Sequence, residues 1–445
     1  MTWGRTAALP DRAHRVWRSA LTRNVAARVA DLLAAGLGTL LVARYGGAAA
    51  VGVYALLRML PGTLGTVIAG GLPGAATYFL AGPSRSDRRV PLTLIAVAAV
   101  GGIAGTALWI GATPLLLPIF FPGMATALAA VAGFRVLTYL GFSTGRACLQ
   151  GIGELGASNW IIVGEDLFFV PFFLVCHWLH LGVPVALVAS LLLGDAANGA
   201  LAWVLLARRH FLHSLERPTL RLAGRIYAFG SRGQVGNIML LLNLRLDFAI
   251  LGALAGPATL GVYAIASRFS ELLRLLPLSV FWVLYPQYAR ADKASTAAQA
   301  RAMIPRFGLL TLAGAVPLAL ASAVLPWIFG PTFQAAILPA QILLIGLVGE
   351  GVGGVVTPYL YGEGRPGLNS LAMGAAVVVT VLLDILLIPR HGAVGAAVAS
   401  SAAYLTATGV LLLMFGLLTR TSNRPASEES VPGAAADAQV AAPRR

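Results

Sequence analysis

The chain has 445 residues, of which 58% are hydrophobic and 11% charged, and its formal net charge is +15. A soluble globular domain carries about 25% charged residues, so the composition excludes one. Mean hydropathy is +0.80, and apolar runs long enough to cross a bilayer recur to residue 418, which reads as a polytopic membrane protein.

The periodicity predicts twelve spans, near 24–43, 52–80, 91–116, 123–145, 157–179, 183–207, 226–252, 260–287, 304–329, 333–360, 368–388 and 392–418. The N-terminus, the even-numbered connections and the tail hold most of the 32 Lys and Arg, whereas the odd-numbered connections hold Arg44 and Arg390. That asymmetry is the positive-inside pattern and places both termini in the cytoplasm. It assigns the positive charge to topology, so no nucleic-acid partner is expected. Two cysteines, Cys148 and Cys176, fit no zinc motif, and no metal or cofactor is expected.

In chain order, residues 1–23 form a basic cytoplasmic arm with Arg5, Arg12, Arg15, Arg18 and Arg23 around Trp17. The first span carries Arg28 and Asp31 at i, i+3, which either line a wet cavity or pair with each other. The second brings Arg58, with Pro61 and Pro73 among glycines, where kinks are expected. Arg135 sits mid-span with no acid within one turn, so it needs a distant carboxylate or an anionic ligand. Glu165 and Asp166 are adjacent and point about 100° apart, so at most one should face a given cavity squarely. Asp195 and Asn198 form an i, i+3 polar pair on the sixth span. Residues 208–225 are a basic cytoplasmic linker.

The seventh span carries Arg245 and Asp247, which project in different directions. On the eighth, Glu271 lies one turn from both Arg268 and Arg274. Glu350 and Asp384 follow on later spans. Residues 419–445 lack apolar periodicity and read as a disordered cytoplasmic tail.

A repeat underlies this order. Gly52-Val53-Tyr54-Ala55 returns as Gly261-Val262-Tyr263-Ala264 at an offset of 209, and Gln150-Gly151-Ile152-Gly153-Glu154 returns as Tyr361-Gly362-Glu363-Gly364-Arg365 at an offset of 211. Both copies start on the same side of the membrane, so the expected fold is all-α: two parallel six-helix lobes, 24–207 and 226–418, around a central cavity. The charges do not follow the repeat. Residue 31 plus 209 is Leu240, and Asp247 minus 209 is Gly38. A symmetric scaffold around an asymmetric site suits an extended, asymmetric cargo.

No Ser-His-Asp set and no paired outer carboxylates are present, and the odd-numbered connections are short. Translocation rather than catalysis is expected, because ionisable side chains inside spans mark a pathway by default.

The segments Leu41–Ala55, Ile250–Ala264 with Arg268, Glu271 and Pro277, and Ile388–Ala397 resemble the oligosaccharide flippases of polysaccharide biosynthesis. These belong to the multidrug/oligosaccharidyl-lipid/polysaccharide (MOP) exporter superfamily. The resemblance implies two lobes rocking between inward- and outward-open states, with a polyprenyl-pyrophosphate-linked oligosaccharide as cargo in a bacterial inner membrane. On that reading Arg28, Arg135, Arg245 and Arg268 attract the pyrophosphate and any acidic sugars. Asp31, Asp247 and Glu271 hold those arginines or take up a coupling proton or sodium ion. The rival readings are a cation-coupled multidrug exporter of the same fold and a membrane glycan polymerase or ligase.

Overall fold

The computed structural model describes residues 11–82, 87–213, 215–275, 277, 284, 288 and 293–422. Arg5 of the expected arm, residues 83–86 and residues 423–445 of the expected tail lie outside the described residues. All regular structure among the described residues is helical.

Three helices are too long to be one span each. Asp11–Ala69, Leu220–Ser270 and Pro366–Ser422 contain 59, 51 and 57 residues. At 1.5 Å per residue they would run about 75–90 Å, against a hydrocarbon layer of about 30 Å. Each breaks at one glycine in the left-handed region: Gly47 at φ 68°, Gly256 at φ 77° and Gly392 at φ 51°. A residue with a Cβ is strained there, so glycine lets the chain reverse without a loop. Residues flanking each break face one another. Gly38 lies against Tyr54, Tyr263 bonds Asp247, and Gly395 meets the Leu387 carbonyl.

Divided at these glycines, the described residues give twelve spans. They are α1 (11–46), α2 (48–69, resuming as Leu72–Ala81), α3 Val90–Phe120, α4 Thr126–Gly151, α5 Leu155–Trp178 and α6 Val183–Arg208. The second set is α7 (220–255), α8 (257–274), α9 Ser295–Phe329, α10 Pro331–Gly362, α11 (366–391) and α12 (393–422). The chain is a multi-pass membrane protein of two six-helix sets. Gly47 and Gly256 are 209 apart, so the hinge itself is part of the repeat.

The kinks differ from expectation in one place. Pro61 lies within continuous helix, and the break in α2 falls at Gly70 and Gly71, with φ of 53° and 77°. Pro73 then sits in the first turn of the resumed helix, where its missing N–H costs no hydrogen bond.

The core shows which end of the bundle is shut. In the half nearest Gly47 and Gly256, one apolar core runs through both lobes, joining Tyr54, Leu57 and Phe169 to Leu260, Tyr263 and Leu343. In the opposite half the core divides. Leu94, Leu140 and Ile161 cluster in the N-lobe, whereas Phe307, Val355 and Phe415 form a separate cluster in the C-lobe. Leu222 and Ile226, at the inner end of α7, pack with the N-lobe cluster. The lobes thus share one core at this end, the outer end on the expected topology, and have separate main cores at the other, inner end.

The lobes touch along α1–α2 against α7–α8. At the outer end, Arg44 reaches across the lobes and donates to the carbonyls of Trp327 and Ile328 at 2.5 and 2.6 Å. Nearer the inner end, Gln234 of α7 donates to the Thr66 carbonyl at 2.7 Å. There a Cβ on Gly71 would lie 2.2 Å from the Gly230 carbonyl oxygen, so the two backbones approach to contact.

Candidate substrate cavity

Between the lobes, α1, α2, α7 and α8 enclose a cavity of about 100 Å³ whose wall includes Thr39, Tyr54, Arg58, Arg245, Phe248 and Arg268. The three charged residues in that wall are all arginines. Their surroundings differ. Arg58 is neutralised from α5: one guanidinium nitrogen meets Asp166, and the other lies 3.5 Å from Glu165. It also donates to the Tyr54 hydroxyl at 3.3 Å. Both adjacent carboxylates reach the one guanidinium, whose two arms are far enough apart, while neither lines the cavity.

Arg245 lies 5.6 Å from the centre of the Phe248 ring, a cation–π distance. Neither it nor Arg268 has a carboxylate within ion-pair distance among the described residues. These are two cationic forks in one small chamber with no carboxylate in ion-pair contact among the described residues. Burying a guanidinium without an anion is unfavourable by several kcal/mol, and an anionic ligand would offset that. By their chemistry the two half-buried arginines carry up to ten N–H donors between them.

The remaining expected site residues lie elsewhere. Arg135 is not in the cavity. Its Nε meets Asp195 of α6 at 2.9 Å, with both side chains almost fully buried. Its Nη1 also donates to the carbonyls of Leu57 and Arg58. It is a strut joining α4, α6 and the backbone of α2. The distant-carboxylate alternative is the one this structure adopts, because Asp195 faces it across the N-lobe interior. Beside it, Asn198 ties α6 to α5 by donating to the Ile161 carbonyl at 3.0 Å.

Arg28 is exposed at the inner end of α1, and Asp31 is half-buried one turn on. They do not form an ion pair. Glu271 pairs with Arg274 at 3.7 Å, not with Arg268, and Arg274 goes on to Glu350 of α10 at 2.9 Å while lying 4.8 Å from the Tyr404 ring centre.

Asp247 does not hold an arginine either. It turns into the C-lobe, 4% exposed, and accepts from the Tyr263 hydroxyl at 2.5 Å, the Ser400 hydroxyl at 3.2 Å and the Phe248 N–H at 2.9 Å. Asp384 of α11 is fully buried, and neither of its carboxylate oxygens has a hydrogen-bond partner. The C-lobe interior thus holds two carboxylates with no basic side chain paired to either among the described residues. Buried polar groups left unsatisfied are rare and call for a ligand, an ion or a water.

Sequence reasoning named Arg58, Glu165, Asp166 and Asp384 but gave them no place in the site. The signal for Arg58 was present: Tyr54 stands one turn before it, inside the repeated Gly-Val-Tyr-Ala motif.

Comparison with known proteins agrees with this architecture. An inward-facing multidrug resistance MATE-family transporter of the MOP superfamily superposes with a TM-score of 0.74, covering 89% of this chain and 96% of that one at 14% identity. The chain has the MOP exporter fold. The lipid II flippase MurJ in an inward closed conformation shares the MOP fold as well, with a TM-score of 0.69, 15% identity, and coverage of 89% and 90%. The family of polysaccharide biosynthesis proteins matches residues 165–337. A probable low-salt glycan biosynthesis flippase, Agl15 of Haloferax volcanii, is 26% identical over 228 residues, or 49% of this chain. The match spans about half, 46%, of that relative's own length. The resemblance read from the glycine pattern therefore stands.

Proposed function

We propose that the protein is a flippase that carries a polyprenyl-pyrophosphate-linked oligosaccharide across the membrane by alternating access, for cell-surface glycan assembly. The observation that carries this reading is the pair Arg245 and Arg268: two guanidiniums in a chamber at the lobe interface with no ion-pair partner among the described residues. A pyrophosphate supplies the missing negative charge, and a planar fork binds its oxygens in pairs. The chamber lies between lobes that share one core at the outer end and have separate main cores at the inner end, so the head group would load from the cytoplasm. Rocking of the lobes would then expose it outside. The family match and the relative named as a glycan biosynthesis flippase support the same cargo class.

Asp247 and Asp384 offer a seat for the coupling cation, a proton or a sodium ion, remote from the arginines. The positive-inside asymmetry supports cytoplasmic termini, and the family resemblance supports a bacterial inner-membrane location. The multidrug-exporter reading is disfavoured by the same wall, since its charged residues are all basic and would repel a cationic drug.

The test is a reconstituted flipping assay with a fluorescent polyprenyl-pyrophosphate-linked sugar. Arg245→Ala and Arg268→Ala should each slow transport about ten- to hundredfold, as expected for lost charge-assisted hydrogen bonds. Unchanged flipping in both variants, with wild-type protein active, would remove the proposal.

A further inference from the structure

Arg245 borders two spaces of opposite character. One is the cationic chamber. The other is a groove of about 480 Å³ between α2, α3 and α7, whose wall is apolar except for Arg245 and Thr63. Trp109 lines it and is 3% exposed, whereas Leu108 and Val67 along it are 57% and 45% exposed. It therefore runs from the protein interior to the surface that faces lipid. Its volume lies within the roughly 300–1,000 Å³ of ligand sites.

The seam between α2 and α7 is clamped on both sides of this groove. Outward of it, Leu56 of α2 packs against Gly252 of α7; inward of it, Gly71 abuts Gly230 and Gln234 bonds Thr66. Between these contacts the groove lies open along Met59 to Val67 of α2 and Leu241 to Ala249 of α7. Arg245 lies 11 residues from the turn at Gly256, or about 16 Å along the helix, close to the middle of a hydrocarbon layer of about 30 Å.

We propose that this groove seats the isoprenoid chain next to the phosphate while the phosphate itself is held by Arg245 in the chamber. The assignment rests on the flippase reading and adds which of the two lobe seams the chain leaves through. An amphipathic ligand with one anionic end and one branched apolar end matches both spaces at once. The guanidinium stands at the boundary where the anion meets the hydrocarbon. The two-fold mate of Arg245 is Gly36, and that of Met59 in the groove wall is Arg268. The opposite seam, between α1 and α8, consequently offers a different lining, and the chain's exit is one-sided.

The full chain in phosphatidylcholine nanodiscs tests this by binding undecaprenyl pyrophosphate, inorganic pyrophosphate and phosphatidylglycerol. Ala112→Trp fills the groove and should weaken undecaprenyl pyrophosphate about tenfold or more through lost apolar contact, while inorganic pyrophosphate binding stays within about twofold. Arg245→Ala should weaken both. Ala249→Leu, a milder filling of the facing wall, should repeat the Ala112→Trp pattern if the larger change impairs folding. A benzophenone on the first isoprene unit should crosslink within residues 108–116 or 241–249. Crosslinks on α1 and α8 instead, unaltered undecaprenyl pyrophosphate binding in both filled variants, or equal competition by phosphatidylglycerol would overturn the groove assignment and leave the arginine site standing. Failure of the wild-type protein to bind either pyrophosphate would overturn both.

Discussion

Gly52 and Gly261 lock the lobes together by the same contact made twice. A Cβ on Gly52 would sit 1.8 Å from the Pro257 carbonyl oxygen, and one on Gly261 would sit 1.8 Å from that of Ala48. Pro257 is the repeat mate of Ala48, as Gly261 is of Gly52. Two copies of one helix hairpin thus cross about their shared pseudo-axis, with glycine in each crossing position so that backbone meets backbone.

Gly52→Ala should force this crossing apart. The overpacking should destabilise the outer-closed state by about 1–3 kcal/mol. Spin labels on the outer ends of the two lobes should report a longer mean distance than in wild type. Because both glycines serve one contact, Gly52→Ala with Gly261→Ala should move the distance less than the sum of the single changes. An unchanged distance in all three variants would show that the crossing does not set the closure.

Arg135 and Asp195 should behave as structure. Arg135→Ala strands a buried carboxylate and should cost about 3–5 kcal/mol, whereas Arg135→Met with Asp195→Leu should recover most of it. Thermal unfolding in detergent measures this. The double variant should still transport, since neither group faces the chamber. If it is stable yet inactive, Arg135 has a role in cargo handling that the ion pair does not explain.

The C-lobe carboxylates give the opposite sign. Asp384→Asn removes a buried, unpartnered charge and should raise the unfolding temperature in the absence of cations. Sodium should stabilise wild type with a concentration dependence of RT ln(1 + [Na]/Kd) and leave Asp384→Asn unmoved. A wild-type protein indifferent to sodium would exclude sodium as the ion seated there.

Much of the scaffold was legible in the sequence, because apolar length and the repeat offset are local properties. Gly47 and Gly256 fall on each other at the 209-residue offset, and both turn in the left-handed region. The partners of the charges were not legible. Arg274 chooses Glu350, 76 residues away, over the acid one turn before it as its closest contact, and that choice depends on which helix lies alongside. Tyr54 and Tyr263 show the limit clearly. They are repeat mates facing repeat mates, Gly38 and Asp247. In the N-lobe the missing carboxylate leaves the Tyr54 hydroxyl to accept from Arg58, whereas in the C-lobe the Tyr263 hydroxyl donates to Asp247. The same backbone position thus serves the arginine wall in one lobe and the buried carboxylates in the other.

The undivided outer core has a consequence for the cell as a whole. A carrier wide enough for a glycan head group could short-circuit the proton and sodium gradients if both ends loosened together. Here the barrier at the Gly47–Gly256 end is a slab of interlocked side chains several layers deep rather than a single side-chain plug, so ion leakage should stay low, and opening at that end should be the slow, strongly temperature-dependent half of the cycle.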